Sequence, residues 1–180
     1  NALSDEESRP VLRAAILSQF LNVAEMPLHE EFFGAISLDS STEVDIVSLL
    51  KEYGIVFETD EPGTFRSMHN QWSKLFVEEA LEVLSDAPEL FGEAVNSVLR
   101  LVGDESFRRQ ITNCSSRDSL AQRLNADATR WGDEFVQGLF RVGEEINSLA
   151  PYYGRFEDPT FEIQERCSPK IFFDSSFRRA

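Results

Sequence analysis

Tyr53-Gly-Ile-Val-Phe-Glu-Thr-Asp-Glu-Pro-Gly-Thr-Phe-Arg-Ser-Met-His69-Asn-Gln-Trp72 is the stretch on which the reading of the fold turns. Ile55 to Thr59 and Thr64 to Met68 are β-rich runs with no helical period. Between them, Asp60-Glu61-Pro62-Gly63 carries turn chemistry, because proline presets one φ and glycine accepts a positive one. Two short runs around such a turn predict a β-hairpin. Beyond it, Trp72, Leu75, Phe76, Ala80, Val83 and Leu84 recur at helical spacing and predict a helix over 70–84. His69 falls at the junction, near free backbone N–H groups and the positive end of that helix, where an anion can bind.

Upstream, Ser4 to Pro10 is a polar lead-in, with Pro10 suited to a first helical turn. Val11, Leu12, Ala15, Ile16, Phe20 and Leu21 then mark an amphipathic helix to about residue 23. Met26-Pro27-Leu28 breaks it, and a second helix carries Phe32, Phe33 and Ile36 on one side, with His29 expected at the surface of its first turn. Ser40-Ser41-Thr42-Glu43 reads as the cap of a third helix with Val44, Ile46, Val47, Leu49 and Leu50, stopped at Gly54. Three helices followed by a two-stranded wing is the order of a winged-helix unit, assigned to residues 1–85. The competing arrangement is an irregular helical bundle in which residues 55–68 form a loop.

Downstream, Asp86-Ala87-Pro88 restarts the chain, with Leu90, Phe91, Val95, Val98, Leu99 and Val102 as an apolar face and Gly103 as a stop. Shorter helices are expected over 104–112 and 117–125, then a longer one from Asp127 to Ile146. The fold class is mainly α: a winged-helix unit followed by a helical bundle or solenoid-like domain over 86–150. Residues 151–180 form a mostly irregular tail. Trp72 and Trp131 both sit on apolar stripes and are expected in the core.

Net charge is −15, and residues 1–85 hold five Lys/Arg against sixteen Asp/Glu. Nucleic-acid affinity rests on cationic side chains that displace counterions, so a nucleic-acid partner is not expected. No run approaches the roughly 18–20 apolar residues that span a bilayer, and no secretory leader opens the chain. A cytoplasmic location and no membrane partner are therefore expected. The chain opens on Asn1 in a polar run, as a piece cut from a longer protein would. Cys114 and Cys167 lack a partner at metal spacing and read as free thiols, with a disulfide between them as the alternative, and no metal site is expected.

Chemistry is sparse. There is no phosphate loop, no GxGxxG after a strand, no GxSxG and no HExxH. With His29 and His69 as the two histidines and no Ser or Cys nucleophile suited to either beside it, a hydrolase triad is not expected. The adjacent pairs Glu6-Glu7, Glu30-Glu31, Glu78-Glu79 and Glu144-Glu145 point about 100° apart on a helix and read as solvated faces. No catalytic residue is assigned.

Residues 44–80 resemble the winged-helix subdomain of STAND-class P-loop NTPases, the signal-transducing ATPases that include plant resistance proteins and bacterial antiviral sensors. The resemblance rests on Ser48-Leu49-Leu50-Lys-Glu-Tyr-Gly54-Ile55-Val56, then Phe65-Arg66-Ser67-Met68-His69-Asn70, then Trp72 and Phe76. It implies that His69 reaches the β-phosphate of ADP in a resting state, with Met68 packed beneath it and Asn70 completing the motif. Asn70 stands where the family pattern has Asp, which removes a carboxylate from the lock. The resemblance further implies a non-catalytic regulatory fragment, with ADP or ATP held by an upstream nucleotide-binding domain of the same protein and no cofactor bound by this chain alone. Other protein partners would engage the helical domain in defence or signal transduction. The alternative is a stand-alone helical scaffold or adaptor. A winged-helix transcription regulator fits less well, because its recognition helix over 42–53 would carry Glu43, Asp45 and Glu52 against Lys51.

Overall fold

The computed structural model describes residues 5–40, 43–111 and 120–145. It is mainly helical, with a small three-stranded antiparallel sheet. Helix α1 spans Asp5–Val23, strand β1 Leu28–His29, α2 Glu30–Ser40 and α3 Ile46–Glu52. Strands β2 (Val56–Glu58) and β3 (Thr64–Ser67) form the hairpin, followed by α4 (Asn70–Val83), α5 (Ala87–Gly103), α6 (Glu105–Ile111) and α7 (Leu120–Glu145).

The hairpin turns as its residues dictate. Gly63 takes φ 73° in the turn, and Val56, Phe57 and Glu58 face Ser67, Arg66 and Phe65 across the ladder. Upstream, Gly54 at φ 68° ends α3, while Ile55 N–H closes back on Leu50 O at 2.8 Å. β1 was not expected. Leu28 and His29 pair with Phe65 and Thr64, which gives the sheet the order β1-β3-β2. A two-residue strand has no period of its own, and its partner lies far along the chain, so no local signal announces it.

Three local expectations need correction. Helix α1 starts at Asp5, so Pro10 lies inside it rather than in its first turn. The lost hydrogen bond is offset by burial of Pro10 and Val11. The cap of α3 is Asp45, which accepts from Ser48 N–H at 3.0 Å and Ser48 Oγ at 2.7 Å. Ser40 closes α2 instead, and Ser41 and Thr42 lie outside the described residues. Within α7, Asp127 leaves helical geometry (φ −155°, ψ 74°) and accepts from Arg130 N–H at 3.0 Å. The kink falls where one helix was expected to end and the next to begin.

One buried cluster joins both halves of the chain. Ala14, Leu17, Phe20 and Leu21 of α1 meet Phe32, Phe33 and Ile36 of α2, and Leu90, Phe91, Val95, Val98, Leu99 and Val102 of α5. The Phe20 and Phe91 rings lie 4.4 Å apart between centroids. At the rim, Glu93 of α5 receives Arg9 Nη2 at 3.0 Å and Arg13 Nε at 2.6 Å, and Arg9 also reaches Asp86 at 3.0 Å. Arg108 of α6 is buried and donates to Leu101 O at 2.9 Å and to Val102 O, closing the C-terminal end of α5. Trp131 is half-buried against this core, as expected, whereas Trp72 is 62 % exposed. The face of α4 that meets α1 centres on Ser73 and Val77, so Trp72 turns outward. Glu31 also departs from expectation: only Glu30 of that pair is solvated, and Glu31 is buried.

Candidate functional site

The hairpin delivers Met68-His69-Asn70 to the start of α4. His69 is its N-cap, with φ −57° and ψ 141°, and its Nδ1 accepts from Gln71 N–H at 3.3 Å. Backbone N–H groups of Trp72 and Ser73 close on His69 O at 2.8 and 3.2 Å, completing the first turn. With Nδ1 used as an acceptor, the neutral ring carries its proton on Nε2. His69 is exposed, so that donor faces outward beside the positive end of a fourteen-residue helix.

Met68 is 47 % exposed. Asn70 turns inward: its Oδ1 is buried and has no hydrogen-bond partner among the described residues. Of the three motif residues, one therefore presents a donor to solvent, one presents an apolar side chain, and one holds a buried, unpaired carbonyl.

A polar network holds this junction against α1, and the sequence pattern did not suggest it. Gln19 Nε2 donates to Ser67 Oγ at 3.0 Å, and Gln19 Oε1 accepts from Ser73 Oγ at 2.7 Å. Asn22 Nδ2 donates to Met68 O at 2.8 Å and to Ser73 Oγ at 2.8 Å. Gln19, Ser67 and Ser73 are buried, so the two Gln19 bonds are made where an unpaired group would be costly, whereas the Asn22–Met68 bond is exposed. Gln19 and Asn22 are three residues apart and share a face of α1. The signal was two amides on that face, but their partners lie 46 to 54 residues away. Asn22→Ala should lower stability by about 0.5–1.5 kcal/mol, since Ser73 Oγ keeps its bond to Gln19. It should also loosen the His69 cap, read as a broadened Gln71 amide signal in NMR. An unchanged Gln71 environment would separate the network from the cap. Beside the network a groove of about 610 Å³, lined in part by Ser18, Asn22, Met26, Arg66 and Ser67, opens between α1 and the hairpin.

His29 also departs from expectation. It is 2 % exposed, in β1 rather than on a helix surface, with its ring edge-on to Phe32 at 5.6 Å. Phe32 in turn meets Trp131 at 5.6 Å, and Trp131 stacks on Phe135 at 5.3 Å. Arg123 of α7 reaches Glu61 of the hairpin turn at 3.3 Å. Burial, followed by the Arg123 charge, holds the His29 pKa down to about 4. Its Nε2 has no hydrogen-bond partner among the described residues. His29 is thus a neutral core residue, and His69 is the exposed one.

Among the described residues no group of His, Cys, Asp and Glu could hold a metal ion, and no helix is long and apolar enough to cross a membrane. Cys114 and Cys167 lie outside the described residues. Comparison with protein-family models, curated proteins and solved structures gave no match.

Proposed function

We propose that residues 1–85 are a winged-helix subdomain of a STAND-type signalling ATPase and that His69 is its nucleotide sensor. The observation that carries this reading is the topology leading to His69. The order helix, strand, helix, helix, hairpin, with β3 between β1 and β2, ends on a histidine whose Nδ1 caps the next helix. The capped ring offers one outward Nε2–H, which suits a single contact to a diphosphate oxygen and cannot by itself hold a nucleotide. ADP would therefore be held chiefly by an upstream domain of the same protein, and no catalysis is assigned to this chain. The helices over 86–150 would form the arm that couples the switch to a sensor or to oligomerisation.

A donor of this kind acts by favouring one domain arrangement. A nucleotide shifts an equilibrium only by its differential affinity for the two states. One charge-assisted hydrogen bond contributes about 1.5–3 kcal/mol, a roughly tenfold to hundredfold bias. In the protein carrying the nucleotide-binding domain, His69→Ala should therefore speed ADP release by about that factor and raise basal signalling. An ADP off-rate equal to that of the wild type would sink the proposal.

The transcription-regulator reading gains nothing from the fold. The exposed surface of α3 offers Ser48, Lys51 and Glu52 beside Asp45, a poor set for base edges. The adaptor reading has one observation in its favour, the outward Trp72 and Leu75 on α4.

A further inference from the structure

The side of α4 turned away from α1 carries an apolar row with acids in it and beside it. Trp72, Leu75 and Val83 are 62 %, 50 % and 72 % exposed, and Phe76 lies half-buried at the inner margin. At about 100° per residue, Trp72, Glu79 and Val83 fall within roughly 40° of one another, and Leu75 stands about 60° from Trp72. Glu78 and Glu82 are exposed and continue the surface beyond Leu75. From Trp72 to Val83 the row runs about 16 Å, or about three helical turns. Scattered exposed apolar residues need no explanation, but here a tryptophan and two aliphatics share one helix face.

The charge of this face selects its occupant. Glu79 stands within the row, so a purely apolar partner laid along it would bury an unpaired carboxylate. An anionic lipid surface or a nucleic acid is repelled by Glu78, Glu79 and Glu82. A second copy would bring the same three acids against themselves, in a protein of net charge −15. A basic amphipathic helix meets every requirement. Its apolar side chains cover Trp72, Leu75 and Val83, its lysines or arginines pair with the glutamates, and an arginine can stack on the Trp72 indole.

We propose that the outer face of α4 docks a basic amphipathic helix, about three turns long, of a separate protein. Trp72 is the apolar anchor, and Glu79 sets the register by demanding a cation at the centre of the contact. The surface belongs to α4 alone, and the docking holds whether or not His69 meets a nucleotide.

NMR titration of the nitrogen-labelled full chain at about 0.15 M salt tests it, with two synthetic leucine–lysine peptides of equal composition as probes. One peptide has its leucines on a single helix face, and the other has them spread around the helix. The patterned peptide should bind, with shifted signals clustered between Trp72 and Val83, and the spread peptide should bind about tenfold more weakly or worse. Trp72→Ala and Glu79→Lys should each weaken the patterned peptide by about tenfold or more, and both substitutions fall on exposed positions that the fold does not need. Glu43→Lys, the same charge change at an exposed position before α3, should leave its affinity within about twofold. Equal affinity for the two peptides, or unchanged binding by the two α4 variants, would mean general attraction to an acidic protein and would overturn the proposal. So would failure of the patterned peptide to bind, or shifts clustered away from α4. Signals of α4 that move with protein concentration alone would make a second copy the occupant and overturn it equally.

Discussion

Replacing Phe20 with alanine should lower stability by about 3–5 kcal/mol and unfold both halves of the chain in a single transition. Phe20 is fully buried, and its ring meets Phe91 at 4.4 Å, so truncation leaves a cavity lined by residues from either side of the α4–α5 turn. Relaxation into that cavity is limited. Phe91 is held within the same cluster by its own neighbours on α5, and the Arg9, Arg13 and Glu93 group ties α1 to α5 at the rim. The loss falls on a domain whose whole stability is about 5–15 kcal/mol, so the denaturant midpoint should drop steeply. Two separated transitions, with α5–α7 surviving the loss of α1–α4, would mean that the common cluster does not couple the halves.

Acid should weaken the fold through His29. Its folded pKa of about 4 lies below the ordinary value near 6.5, so the unfolded chain binds the proton first as pH falls. The stability tied to the neutral ring is therefore complete above about pH 6.5. It is lost as pH falls from there to about 4, amounting to about 3 kcal/mol. Carboxylates also begin to titrate in that window, so the comparison must be made against His29→Leu. Because Nε2 has no partner among the described residues, an apolar side chain of similar size should be tolerated. The variant should show a flatter decline between pH 6.5 and 4, the difference curve carrying the histidine contribution. Among the charged groups of neighbouring elements, Arg123 disfavours the imidazolium and is paired with Glu61. Parallel pH profiles for the two proteins would show that His29 is not held neutral by the core.

What the sequence announced was local. The turn at Asp60 to Gly63, the stop at Gly54, the helix over 70–84 and the apolar face of α5 each rest on a few neighbouring residues, and the structure has them within a residue or two. What it withheld depends on distant partners. β1 exists because β3 lies beside it, and His29 is buried because β1 does. Trp72 belongs to the apolar stripe read from the sequence, but the buried residues of α4 are Ser73 and Val77, on another side of the helix, and only the placement of α1 decides which side is covered. His69 was legible as a residue at a strand-to-helix junction. Its use of Nδ1 in the cap, and the Gln19, Asn22 and Ser73 bonds that fix the junction, required the third dimension.

The most direct measurement of the sensor proposal is the distance between His69 Nε2 and the nucleotide in the ADP-bound protein that includes the nucleotide-binding domain. Crystallography or nitrogen–phosphorus NMR on histidine-labelled material would supply it. The expected result is a hydrogen bond of about 3 Å from Nε2 to a β-phosphate oxygen. A His69 ring left in solvent while ADP is fully bound would contradict it.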